Sequence, residues 1–238
     1  MPKKALIIGA SSGIGKALAI VLAKNGYTVG ITGRRATHLN ETAALYPEQI
    51  IPYPSDATHL DRNNQLDDMV NQLGGLDLFV ISAGVGHLNT SLDYSLEDAT
   101  NQLNVIAFTK LTNWCMHFFE QQGQGHFVNI SSVASRRGGG YAPAYNASKA
   151  YQSNYLEGLR QRCFKQKINV VITDIRPGFV DTAMAQGDGL FWVATKEKAA
   201  NQIYSAIRKK KAVAYITKRW ALIAFLFSHL PIGLHKRI

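Results

Sequence analysis

Two cysteines, Cys115 and Cys163, are all the sulfur nucleophiles in 238 residues. Both fall in stretches that read as helices, so a disulfide framework or a cysteine-based metal cluster is excluded and a reducing compartment is the expected setting. Long apolar runs are missing too. The opening MPKKALIIGASSGIG carries two lysines but only about five apolar residues before Gly and Ser intervene, where a signal peptide needs roughly 7–15. No stretch reaches the ~18–20 apolar residues of a spanning helix. A soluble, cytoplasmic protein is the expectation. With 46% hydrophobic and 18% charged residues, 20 Gly and only 7 Pro, the composition excludes a fibre, a repeat array or a disordered tail and leaves one compact domain.

Acid is absent after Glu197. Residues 198–238 hold 9 Lys/Arg and no Asp or Glu, while residues 1–197 hold 17 Lys/Arg against 16 Asp/Glu, so the net charge of +10 belongs almost wholly to the carboxyl end. A nucleic-acid binder would spread cations along a recognition face among stacking aromatics, and no such face or motif is present. No nucleic-acid partner is expected.

Short apolar segments alternate with helical periodicity. Lys4–Gly9 reads as a strand buried on both faces; in Gly13–Asn25, Ile14, Leu18, Val21 and Leu22 recur at helical spacing before Gly26. Strands follow at Tyr27–Thr32, Ile50–Tyr53, Asp77–Ser82, His126–Ser131 and Ile168–Ile175. Helices are predicted near His38–Tyr46, Leu60–Leu73, Ser95–Gln121 and Ala144–Lys165, with Ser95-x-x-Asp98 resembling a capping box. A last helix near Thr195–Lys209 and a strand at Ala212–Thr217 close the series. Six β–α alternations imply a parallel sheet, because parallel neighbours require crossovers that cover both faces. The expected class is α/β: a Rossmann-like doubly wound parallel sheet, one domain in three αβα layers. Residues 1–217 hold this alternation as one domain, and 218–238 form a basic, apolar tail, part of the same domain or a membrane or oligomer contact.

The first strand-to-helix turn reads Gly9-Ala10-Ser11-Ser12-Gly13-Ile14-Gly15. Glycines there permit a tight turn and close backbone approach, so amide N–H groups and the positive helix end can meet a pyrophosphate. Gly9, Ser11, Ser12, Gly13, Ile14 and Gly15 are the candidate contacts. The second strand ends Thr32-Gly33-Arg34-Arg35. An NAD site would offer a carboxylate to the ribose there, whereas guanidinium groups suit a 2′-phosphate, so Arg34 foremost, with Arg35, points to NADP(H) over NAD(H). Asp56 reads as an acceptor for the adenine amino group, or as a turn former or helix cap.

Tyr145 and Lys149 stand four apart, on one helix face. A phenol has a reference pKa near 10, so proton transfer near pH 7 requires a shift worth roughly 4 kcal/mol. A cation about 4 Å away at an effective dielectric near 20 supplies that order of energy. Ser132, just past the fifth strand, lies where ligands sit in open α/β sheets, with Ser131 as the alternative. Asn104, a poor helix former, is a candidate for holding a water that relays protons toward Lys149.

Assembled in this order, the residues resemble the short-chain dehydrogenase/reductase family over about residues 3–217. GASSGIG is similar to that family's cofactor turn, Asn104 to its helix asparagine, Ser132 to its catalytic serine, and Tyr145-x-x-x-Lys149 to its acid–base pair. Arg176-Pro177-Gly178-Phe179-Val180-Asp181-Thr182 is similar to its proline–glycine segment, in which Val180 and Thr182 would contact the nicotinamide carboxamide. The resemblance places Ala83, Gly84, Pro177 and Gly178 at the cofactor as well. Ile8, Ser82 and Ser135 depart from residues common in the family (Thr, Asn and Gly). The resemblance implies hydride transfer between NADP(H) and a small-molecule carbonyl or alcohol, with Lys149 also binding ribose hydroxyls, and a homodimer or homotetramer. A nucleotide-binding scaffold with a membrane- or partner-binding tail is the alternative.

Trp220–Leu230 is apolar on nearly all sides and flanked by Lys218, Arg219, His235, Lys236 and Arg237. Three readings stand: a core or dimer-burying helix, a lid over the substrate, or a segment resting peripherally on an anionic membrane at its inner face. The loop with Met184, Leu190, Phe191, Trp192 and Val193 is expected to cover the substrate, and its apolar character favours a lipophilic one.

Overall fold

In the computed structural model, which describes residues 2–60, 65–184 and 191–236, seven strands form one parallel sheet. In chain order these are β1 (Lys4–Ile8), β2 (Thr28–Gly33), β3 (Ile50–Pro54), β4 (Leu78–Ile81), β5 (Gly125–Ile130), β6 (Val170–Pro177) and β7 (Val213–Ile216). Their spatial order is β3-β2-β1-β4-β5-β6-β7. The chain reverses its winding between β1 and β4. That break in order opens a crevice at the carboxyl ends of the strands.

Strands β1 and β4 are buried almost throughout, as continuous apolar runs require in a sheet covered on both faces. On one face Leu18 and Leu22 of α1 (Gly13–Lys24) and Ile203 and Ile207 of α7 (Lys196–Arg208) pack on Ile7, Val80 and Ile175. On the other, Phe79 and Phe127 meet α3 (Gln65–Leu73), α5 (Phe108–Gln122) and α6 (Pro143–Lys165) through Leu73, Phe119 and Leu156. Full burial of each such side chain contributes about 1.5–3 kcal/mol. Cys115 and Cys163 are free and buried in α5 and α6. The three-layer αβα expectation holds.

Two local expectations are corrected. The helix expected over 95–121 is three segments: α4 (Tyr94–Asn101), a π-helical turn at Gln102–Ala107, and α5. Its cap is Asp93, whose carboxylate accepts from the Ser95 N–H at 2.8 Å, so Ser95 lies inside the helix and no Ser95–Asp98 box forms. Aspartate caps about as well as serine, and Asp93 rather than Ser95 is the last extended residue before the helix. Helix α2 spans Ala36–Ala44. Residues 61–64, within the helix expected from Leu60, lie outside the described residues.

Candidate active site

Gly9 ends β1 at φ +88, a conformation suited to glycine, and a Cβ there would stand 2.5 Å from the Ala83 nitrogen. A Cβ on Gly15 would strike the Gly9 carbonyl oxygen, and Gly13 turns at φ +58. The glycines therefore let the β1 turn, the Ala83-Gly84 turn after β4 and the start of α1 approach one another. Ser12, the N-cap of α1, makes no side-chain cap bond, and the first turn has no acid. An uncapped, acid-free helix start leaves N–H donors for an anion, which fits a dinucleotide pyrophosphate. Thr182 reaches the same turn, its methyl 3.4 Å from a Cβ placed on Gly13. Val180 is bridged to Ala194, which anchors that segment.

Arg35 Nη2 donates to Ser11 Oγ at 3.0 Å and Ser12 Oγ at 2.7 Å, so Arg35 lies over the glycine-rich turn. Burial pushes the Asp56 carboxyl up, but two hydrogen bonds from Thr58, with smaller help from the Arg34 and His59 charges, hold it below the usual range. Asp56 Oδ1 accepts from Thr58 N at 2.9 Å and Thr58 Oγ1 at 2.8 Å, the turn-forming alternative.

The serine pair divides. Ser131 Oγ donates to Asp174 Oδ1 at 2.5 Å, away from the crevice, within a buried cluster in which Asp174 also receives Ser153 Oγ at 2.9 Å and Arg176 Nε at 2.7 Å. Ser132 caps a 3₁₀ turn at Val133–Arg136, accepting from Ala134 N at 3.1 Å, and its hydroxyl lies close enough to the Tyr145 phenol to favour ionisation there. Burial raises the Tyr145 pKa above the ordinary phenol value, and the Ser132 hydroxyl pulls against it. The phenol expected to be made acidic by Lys149 is thus dominated by desolvation. Lys149 Nζ lies 5.9 Å from the Tyr145 ring centre. Burial lowers Lys149 to about 8, with Asp174 opposing.

Asn104 stands near Lys149, both reaching the space beside Gly84. Its amide side chain accepts from Val85 N at 2.9 Å and donates to Val85 O at 2.7 Å and Ser148 Oγ at 3.0 Å, tying the turn after β4 to α6. Its main-chain carbonyl accepts from Gln152 Nε2 at 2.8 Å. Gln152 Oε1 in turn accepts from Lys149 Nζ at 3.2 Å and Asn129 Nδ2 at 3.1 Å; Nζ also donates to Ile130 O at 3.1 Å. Gln152, fully buried, occupies the link between the Asn104 carbonyl and the ammonium. Sequence reasoning passed over it, although a polar residue three past Lys149, on the same helix face, was a usable signal. Gly86 was passed over as well: a Cβ there would lie 2.5 Å from Tyr145 Cδ2, so its glycine lets the loop lie against the ring.

Past β6, Gly178 and Phe179 pack on Trp220 of α8 (Trp220–His229), with no room for a Cβ at Gly178. Trp220 is edge-on to Phe179 at 5.2 Å and stacks on Phe191 at 5.1 Å, with Trp192 at 6.0 Å. The aromatic loop and the tail helix thus form one cluster beside Val180. Met184, Trp192 and Val193 remain exposed, whereas Leu190 and Arg237 lie outside the described residues. Among the described residues no helix is long and apolar enough to cross a membrane.

Residues 3–190 match the family model described as short chain dehydrogenase. An uncharacterized oxidoreductase of Staphylococcus haemolyticus is 33% identical over 186 residues, 76% of this chain and 80% of that protein. A short chain dehydrogenase from Burkholderia cenocepacia, solved in complex with NADP, superposes with a TM-score of 0.84 at 19% identity, over 99% of this chain and 97% of that one. A 3-ketoacyl-(acyl-carrier-protein) reductase from Brucella melitensis, complexed with NADH, gives a TM-score of 0.81 at 19% identity over 90% and 95%.

Proposed function

The chain belongs to the short chain dehydrogenase family and is an NAD(P)-dependent oxidoreductase; from that premise we propose that it reduces a lipophilic carbonyl compound with NADPH. The observation that carries the chemistry is the grouping of Ser132 with the Tyr145 phenol, beside the buried Lys149 whose Nζ lies 5.9 Å from the Tyr145 ring. When bound, the nicotinamide supplies hydride. Gly9, Ser11, Ser12, Gly13, Ile14 and Gly15 hold the pyrophosphate, with Ala83, Gly84, Pro177, Gly178, Val180 and Thr182 shaping the rest of the bed. Ser132 orients the carbonyl oxygen. Tyr145, kept protonated at neutral pH by its raised pKa, donates its proton to the oxygen as negative charge develops there. Lys149 places positive charge behind the phenol and holds ribose hydroxyls. Asn104 and Gln152 keep that ammonium in place.

The preference for NADP(H) over NAD(H) rests on Arg35 beside Ser11 and Ser12 and on the absence of a carboxylate at the end of β2. Lipophilicity of the substrate rests on the apolar cluster of Phe179, Phe191, Trp192 and Trp220 at the crevice. Homodimer or homotetramer assembly fits α5 and α6, where the apolar Phe164 is exposed, and sedimentation measures it. The scaffold alternative is not favoured, since a binding-only protein has no use for a buried ammonium beside a phenol and a serine.

NADPH oxidation against a panel of aldehydes, ketones and quinones tests the proposal together with Tyr145→Phe. The variant is expected to lose turnover while still binding NADPH. Normal turnover by Tyr145→Phe would refute the assignment.

A further inference from the structure

The tail helix has two faces with different fates. Trp220 and Ala224 turn inward and are buried, but Leu222, Phe225 and Leu226, spaced three and four apart, form an outward stripe and are 61%, 60% and 55% exposed. After one turn the stripe continues into α9 (Ile232–His235), where Ile232 and Leu234 are exposed. Monomeric soluble surfaces rarely leave so contiguous an apolar patch uncovered.

Cations rim it. Lys218 and Arg219 stand exposed at one end and Lys236 at the other. Arg136 Nε donates to Ser228 Oγ at 3.0 Å and Arg137 Nη2 to Leu230 O at 2.7 Å, so two further guanidinium groups are held against the tail. Arg219 also lies 5.0 Å over the Trp192 ring, joining the stripe to the aromatic loop. No acid occurs after Glu197 to neutralise them.

We propose that α8 and α9 form a docking surface for an anionic lipid bilayer, lying in the plane of the interface. Leu222, Phe225 and Leu226 enter the acyl boundary while the rim cations meet lipid phosphates. Charge selects this occupant over a second copy of the chain, because pairing two such faces brings like-charged rims together. Length excludes insertion: ten residues of helix at ~1.5 Å each reach ~15 Å, half of a ~30 Å hydrocarbon core. On the reading given under Proposed function, the docked face sets the aromatic cluster beside the crevice against the membrane, the source of a lipophilic carbonyl.

Vesicle flotation tests the surface, with phosphatidylcholine alone and with phosphatidylglycerol added. The wild type is expected to float with the anionic vesicles, far less with the neutral ones, and to be released by salt. Leu222→Ser/Phe225→Ser/Leu226→Ser spares Trp220 and Ala224 and is expected to lower binding at least about tenfold. Lys218→Glu/Lys236→Glu, which leaves the stripe intact, is expected to lower it by a similar factor on anionic vesicles only. NADPH oxidation with a water-soluble carbonyl is expected to be unchanged in both variants, which shows that they fold. A wild type that stays unbound, or a triple serine variant that floats as well as the wild type, overturns the proposal. So does sedimentation in which the wild type self-associates through this face and the triple variant does not, without vesicle binding by either. Vesicle binding without reductase activity leaves the docking surface standing and sinks only the substrate reading.

Discussion

Gln152→Leu is the sharpest perturbation of the site, because it removes a group that touches neither crevice nor solvent yet grips Lys149. The ammonium is buried and donates to two neutral oxygens, Ile130 O and Gln152 Oε1. Losing a hydrogen bond to a charged group costs about 1.5–3 kcal/mol, which at 1.36 kcal/mol per unit lowers the Lys149 pKa by ~1–2 units. From about 8 in the wild type, Lys149 then titrates near ~6–7. At pH 7 roughly nine-tenths of wild-type molecules carry the ammonium, against roughly one-quarter of the variant if its value is ~6.5. The assay is the pH profile of kcat/KM for NADPH-dependent carbonyl reduction. The alkaline limb is expected to move down by ~1–2 units, with a roughly fourfold loss at pH 7 that recovers as the pH is lowered. Gln152→Glu, which puts a carboxylate beside Nζ, is expected to move the limb upward. A variant that melts as a folded protein and keeps the wild-type alkaline limb refutes the argument that Gln152 sets the charge of Lys149.

Arg35→Ala is expected to weaken NADPH binding roughly 10–100-fold, the worth of a charge-assisted phosphate contact, with Arg34→Ala milder; fluorescence titration reads both, and an equal loss of NADH binding would overturn the phosphate assignment. His126 predicts an acid-sensitive fold. Burial lowers it from 6.5 to about 4, and its ring bonds to Thr173 Oγ1 at 2.8 Å. Because Thr173 Oγ1 donates to Lys211 O at 2.7 Å, His126 Nε2 is the donor to Thr173. A histidine with a depressed folded pKa contributes stability that is present above pH 6.5 and lost as pH falls toward 4. The loss is up to about 3 kcal/mol, less for its partial exposure. Urea unfolding between those pH values is expected to show His126→Gln losing that much less than the wild type, and parallel curves would remove the histidine from the account.

The sheet was legible because each strand is a short apolar run between glycines or polar turns, a pattern that burial on both faces imposes. The glycine-rich turn after β1 and the grouping of Ser132, Tyr145 and Lys149 were legible because residue type and spacing place them together. What the sequence hid depends on side-chain direction. Ser131 and Ser132 alternate across a strand end, and only the structure shows the first bonded to Asp174 and the second beside Tyr145. Only the structure, likewise, sets Arg35 on Ser11 and Ser12. The π-helical turn at 102–107 has no composition signature, yet it frees the Asn104 carbonyl for Gln152 rather than for its own helix.

The tail shows the limit most clearly. Trp220–Leu230 has so few polar residues that its sequence marks no inward face and leaves the core-or-dimer, lid and membrane readings all open. The structure divides it: Trp220 belongs to the aromatic cluster on Gly178 and Phe179, and Leu222, Phe225 and Leu226 belong to the surface. Deletion of residues 218–238, the test that sequence alone suggests, would strip Trp220 from the segment carrying Val180 and Thr182. Lost vesicle binding would then be confounded with a damaged cofactor bed. Substituting only the outward stripe separates the two, because Trp220 continues to pack where it does while the surface changes. A stripe variant that keeps reductase activity but leaves the vesicles therefore assigns the membrane contact to those three side chains, and one that loses both would mean that the stripe supports the fold as well.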